Sequence, residues 1–172
     1  TVGLGVRLIE EALVWQILLY RSVSLSLFLY LVIIFRSGES PFVQIQRIGF
    51  PAFIAGISLV AAYSGGVYSI QTTSVASAML LFATAPFMAA VLGWIFLQEN
   101  VRTATWISIV IAVFGISIMV ADKTGPNELR GNAAALGSAF GFAVFTVALR
   151  WGKLGDMLPT VFLSGLFGVI IT

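Results

Sequence analysis

Two apolar stretches, Val75–Leu97 and Ala104–Val120, are joined by only six residues, and those six carry Glu99 and Arg102. About 20 apolar residues at 1.5 Å rise per residue cross the roughly 30 Å hydrocarbon core of a bilayer. With so short a connection, the two stretches can only form a membrane hairpin. The runs are too long for strands and lack the alternation of an outer-membrane barrel. A soluble helix would carry a polar face, and Val75–Leu97 has none. The expected fold class is therefore all-α, a polytopic bundle of transmembrane helices.

Composition removes most other functions. The chain is 59% hydrophobic and 9% charged, where a soluble domain averages about 25% charged residues. No charge lies between Arg47 and Glu99. The net charge of +2 is spread over loops, so no nucleic-acid patch is expected. There is no cysteine and no histidine, which removes thiolate metal sites, the commonest general base and the commonest metal ligand. A serine nucleophile among Ser22, Ser24 and Ser26 would lack a base, and no pair of carboxylates lies within a span. Neither an enzyme nor a cofactor is expected.

Charges and turn residues divide the chain into spans at Val14–Phe35, Ile48–Tyr68, Val75–Leu97, Ala104–Ala121 and Gly131–Leu149. Loops are expected at Ser37–Arg47 and at Asp122–Arg130, where Gly125-Pro126-Asn127 favours a turn. A sixth span begins near Leu158, with Pro159 suited to a first helical turn. Thr1–Ile9 reads as the last turns of an earlier helix rather than a signal peptide, and the chain stops at Thr172 inside an apolar run. The expectation is a piece cut within helices at both ends. Arg36, Arg47, Arg102, Arg150 and Lys153 fall on one side, against Arg7, Lys123 and Arg130 on the other, with Arg21 added there if it lies at the interface, so the first side is expected to be cytoplasmic. Gly3–Arg21 and Thr146–Gly165 each end a helix at an arginine (Arg7, Arg150), pass a short charged loop and start another helix. Five helices separate the two, an odd number, so the copies point in opposite directions, as in inverted-repeat transporters.

A few side chains stand out against this background. Arg21 is the one charge placed inside a span; it suits an anionic or carboxylate-bearing solute, pairing with Glu10 or Glu11, or an interfacial position snorkelling to headgroups. Gln16 and Tyr20 share a helix face, and Tyr63, Tyr68 and Gln71 sit toward the outer end of the next span; together they suit a polar-handled cavity, or, for Tyr68, an aromatic belt. Pro86 removes a backbone hydrogen bond and kinks its helix, and the adjacent Gly65 and Gly66 weaken theirs or allow close approach. Ala133, Gly137 and Gly141 form a small-residue stripe for helix packing, within the chain or between two copies as a homodimer. Glu99 beside Arg102 reads as a structural clasp.

The segment LGWIFLQENVRTATWISIVIAVFGISIMV resembles the signature of EamA-type proteins in the drug/metabolite transporter superfamily, carried here by Phe96, Leu97, Glu99, Trp106 and Gly115. Ser77, Ala78 and Pro86 resemble the preceding helix of that family, Arg21 its opening arginine, and Gly131–Arg150 its glycine-started helix; Gln98 stands where the family often has glycine. The resemblance implies a ten-span fold of two inverted five-span repeats, with residues 1–121 the first (its first helix truncated) and 131–172 the start of the second. It also implies a secondary transporter that moves, and by expectation exports, a small organic metabolite or drug by alternating access in a bacterial inner (cytoplasmic) membrane. Its partners would be that small-molecule substrate and the lipid bilayer. The alternative is a channel or a non-transporting membrane scaffold, although no span carries the regular polar stripe of a pore. No nucleotide-binding motif is present, so energy would come from an ion gradient or exchange.

Overall fold

The computed structural model describes residues 14–38, 40–121, 126–152 and 157–171, and every regular element within them is an α-helix. In hydrocarbon no water satisfies backbone N–H and C=O groups, and a helix pairs them within one segment. In chain order the helices are α1 (Val14–Ser37), α2 (Pro41–Ile48), α3 (Phe50–Thr72), α4 (Val75–Phe82), α5 (Ala85–Leu97), α6 (Thr103–Ala121), α7 (Pro126–Trp151) and α8 (Leu158–Ile171). Four stretches are long and apolar enough to cross a membrane: Leu19–Arg36, Phe50–Thr72, Val75–Leu97 and Glu128–Trp151. Shorter apolar stretches run over Thr103–Ile118 and Leu158–Ile170. The polytopic helical bundle is the observed fold.

The bundle is organised around α7, which packs along α3 and also against α4 and α5. Trp151 at its end meets Phe50 at the start of α3 edge-on, with centroids 6.4 Å apart. Asn132 near its start accepts a hydrogen bond from Thr73 just beyond α3, at 3.0 Å. The two helices therefore run antiparallel. Small residues form their seam. Ser138 Oγ donates to the Ala62 carbonyl at 2.5 Å. A methyl group added at Gly65 would lie 3.0 Å from the Ala134 carbonyl, and one at Gly141 2.8 Å from the Ser58 carbonyl. Lipid tails are as apolar as the helices, so close van der Waals fit and interhelical hydrogen bonds must hold such a pair. Beside the seam, Ala55 and Leu59 bury against Phe145, Ala148 and Leu149, and Ala89 of α5 buries against Ala143 and Val147.

A second antiparallel pair joins α1 to α8. Tyr30 meets Phe162 with centroids 6.1 Å apart, and farther along, Ser26 and Ser22 press against Gly165 and Gly168. A cluster of Leu29, Ile33, Ile45, Ala52, Phe162 and Leu163 fastens α1, α2, α3 and α8 together.

Several boundaries differ from the sequence reading. The expected loop at Ser37–Arg47 contains α2, because Pro41 suits a first helical turn and Pro41 and Ile45, one turn apart, bury on the same side. Span two continues to Thr72, where Thr72 Oγ1 bonds back to the Tyr68 carbonyl at 2.7 Å. Helix α7 already begins at Pro126, inside the expected loop. Gly65 and Gly66 do not weaken α3, which runs unbroken through them; they serve close packing instead. In the small-residue stripe only Gly141 touches a neighbouring helix, while Gly137 faces open space and Ala133 is exposed, because 3.6 residues per turn swing the seam onto Ala134, Ser138 and Gly141.

Gly141→Val should lower the unfolding free energy in detergent by about 1–3 kcal/mol through overpacking. Gly137→Ala should instead leave it unchanged or raise it by up to about 1 kcal/mol through helix propensity. Reversible unfolding by SDS titration would separate the two.

Candidate functional site

Arg21 on α1 precedes Arg36 by fifteen residues, about 22 Å of helix at 1.5 Å per residue. It therefore falls within the apolar stretch Leu19–Arg36, two residues from the end opposite Arg36. A charge within a span is tolerated where it is paired, faces a wet cavity or snorkels to the interface. The partner is Tyr63 of α3, whose ring centroid lies 3.5 Å from the Arg21 guanidinium carbon. Tyr63 follows Phe50 by thirteen residues, about 20 Å, so both side chains sit at matching depth. A cation over an aromatic face gains about 0.5–1 kcal/mol when exposed and about 2 when desolvated. Stacking occupies the face of the guanidinium and leaves its edge, with N–H donors in a fixed fork, free to bind an anion.

The other expected site residues do not converge on this pair. Gln16 is exposed, Tyr20 is 74% and Tyr68 41% exposed. At 3.6 residues per turn Tyr68 lies about 140° around α3 from Tyr63, so the two tyrosines face different sides. Gln71 is likewise exposed. Arg7, Glu10 and Glu11 lie outside the described residues.

Pro86 acts where the sequence placed it. It has no N–H for the Phe82 carbonyl, and the span breaks into α4 and α5 at Ala83–Thr84. Thr84 Oγ1 donates to the Leu81 carbonyl at 2.6 Å, a local side-chain bond that competes with helical pairing.

The end of α5 holds a clasp, with a different partner from the one expected. Glu99 pairs with Arg150 at 2.6 Å, not with Arg102, because the ends of α5 and α7 lie side by side. Gln98 turns the chain there with φ 55° and ψ 33°, the left-handed region that glycine enters without strain; this accounts for a family preference for glycine at this position. The N–H groups of Gln98 and Glu99 both reach the Gly93 carbonyl. A methyl group on Gly93 would lie 3.1 Å from Glu99 Oε2, so the small residue makes room for the ion pair. Trp94 and Trp106 stack edge-on with centroids 5.4 Å apart, joining α5 to α6. Gly115 faces open space. Nothing in the sequence spacing announces the Glu99–Arg150 or Thr73–Asn132 contacts; the isolated Asn132 in an apolar helix was the available signal.

An all-helical bundle with several helices long and apolar enough to cross a membrane is the architecture of a multi-pass membrane protein. The EamA-like transporter family matches residues 3–121, and the chain belongs to that family, within the drug/metabolite transporter superfamily. It is also similar to solute carrier family 35 member G1 of Mus musculus, at 29% identity over 69% of this chain and 35% of that protein. The chain thus spans about a third of the length of that relative. No solved structure gives a significant match.

The Glu99–Arg150 pair is part-exposed on both sides (36% and 47%), so solvent screens it. A double-mutant cycle with Glu99→Gln and Arg150→Gln, read by unfolding in detergent, should give a coupling of about 0.2–1 kcal/mol. The same cycle with Arg102→Gln should give none.

Proposed function

We propose that this chain forms part of a secondary transporter that exports a small organic anion by alternating access, with Arg21 as the anion-binding group. The observation that carries the proposal is the Arg21 guanidinium stacked on Tyr63 at 3.5 Å within the depth of the bilayer. A charge there is costly and is retained for function by default. Its free edge fits a carboxylate bidentately. Aspartate and glutamate are absent from the sequence between Glu39 and Glu99 and between Glu99 and Asp122, so the described spans α3 to α6 offer Arg21 no fixed counter-ion.

The family match over residues 3–121 supports reading residues 1–121 as one five-helix repeat and 131–172 as the start of an inverted second. The antiparallel pairing of α1 with α8 supports it too, since second and seventh spans related by a two-fold axis in the membrane plane would cross in that manner. In this reading the break before Pro86 is a point where the fourth span bends during the access change. The face bearing Arg36, Arg47, Arg102 and Arg150 is cytoplasmic, in the inner membrane of a bacterium.

The test is transport by the full-length protein in proteoliposomes, against a panel of radiolabelled carboxylates, neutral sugars and organic cations. Carboxylates should move, with Arg21→Ala slowing them about tenfold or more and Arg21→Lys restoring part of the rate. Unchanged carboxylate transport in Arg21→Ala, or transport of cations alone, would remove Arg21 from the site.

A further inference from the structure

A cleft of about 380 Å³ lies between α3, α5 and α7, in the half of the bundle nearer the basic face. Phe140, Val144, Ala148 and Trp151 of α7 form its floor, with Ile54 of α3 and Phe96 of α5 as walls. Val144 and Ala148 lie three and seven residues beyond Gly141, on the same side of α7, so the cleft adjoins the α3–α7 seam and shares Ala148 and Ile54 with the contact beside it. From Phe140 to Trp151 the floor covers eleven residues, about 16 Å at 1.5 Å per residue. One leaflet of a 30 Å hydrocarbon core is about 15 Å deep. The cleft is therefore one acyl chain long.

Its chemistry narrows the occupant further. Its walls are almost entirely apolar, and an apolar cavity holds water poorly and takes apolar ligands. The rim residues Phe96 and Trp151 remain 72% and 56% exposed, so the side chains at hand do not close it. At the mouth the chemistry changes. Arg150 directly precedes Trp151 and stays half-exposed beside Glu99, and Arg102 is exposed on the same face. Trp94 and Trp106 stand at that same end, as aromatic side chains do at the headgroup level. Arg150 and Arg102 against the single carboxylate of Glu99 leave the mouth net positive, which suits an occupant that is hydrocarbon over the depth of one leaflet and anionic at its outer end.

We infer that this cleft binds one anionic phospholipid of the leaflet on the basic face, its acyl chain lying along α7 and its phosphate between Arg150 and Arg102. Binding there would bridge α3, α5 and α7 next to the Glu99–Arg150 clasp. It is independent of which solute the protein carries.

Full-length protein, passed through nanodiscs of phosphatidylglycerol and phosphatidylcholine, would be released into mild detergent and weighed by native mass spectrometry. One phospholipid per chain should be retained, with phosphatidylglycerol preferred. Val144→Trp, which fills the floor, should reduce retention at least tenfold, and Arg102→Gln should abolish the preference for phosphatidylglycerol. Val110→Trp, on an exposed face of α6, should keep the lipid. Should Val144→Trp fail to fold, lipid brominated along its acyl chain reports on the protein with its cleft unfilled. Quenching of Trp151, taken as the difference from Trp151→Phe, should persist after transfer into unbrominated lipid. A lipid retained equally in Val144→Trp, none retained by the wild type, or Trp151 quenching lost as fast as bulk lipid exchanges would each overturn the inference.

Discussion

The close crossing of α3 and α7 is the contact on which the other helices depend. With Gly141 against the Ser58 carbonyl and Gly65 against Ala134, the two backbones approach nearly to contact, and Ser138 adds a hydrogen bond across the gap. Lipid supplies no hydrophobic drive for helices to associate, so shape must do what water-driven burial does in a soluble core. Once α3 and α7 are paired, α5 buries Ala89 on one side of α7. On the far side of α3, Ala52 joins the cluster that holds α1, α2 and α8.

Each end of α7 is tied by a polar contact suited to its surroundings, to α5 at one end and to α3 at the other. On the basic face the tie is an ion pair, Glu99 to Arg150, part-exposed where water and headgroups solvate it. At the opposite end it is a buried hydrogen bond between the neutral Thr73 and Asn132. A buried ion pair there would carry a desolvation cost that its attraction need not repay. Helix α7 carries its charges at both ends, Glu128 and Arg130 near its start and Arg150 at its close, while Arg21 lies within the apolar stretch of α1. Its stacking on Tyr63 occupies the face of the guanidinium and leaves its edge open.

Parts of the candidate site were legible in the sequence for definite reasons. Arg21 stood out because a charge inside an apolar run has few structural excuses, and Tyr63 because a hydroxyl on an apolar ring is an unusual choice in mid-span. Tyr68 and Tyr20 carried the same signal and ended on other faces, since five residues along a helix turn a side chain by about 140°. Glu99 was recognised as a clasp, but its neighbour in sequence, Arg102, was not its partner in space. The α2 helix was missed because eight residues bearing Pro41 and Arg47 are too few and too polar to register as a span, and only burial of Ile45 against α1 and α8 neighbours makes them one.

By itself the sequence determined that this chain lives in a bilayer, where its crossings lie, which face is basic and to which family it belongs, because hydropathy and charge act locally along the chain. Tertiary structure decided which helices touch, that Gly141 rather than Gly137 makes the seam, that Gln98 turns left-handed so that Glu99 can reach Arg150, and that Arg21 rests on Tyr63. Those choices depend on the rotation and crossing of helices that are all apolar. A hydrophobic pattern that is uniform around a helix does not say which side faces a neighbour; only the fit of small residues does.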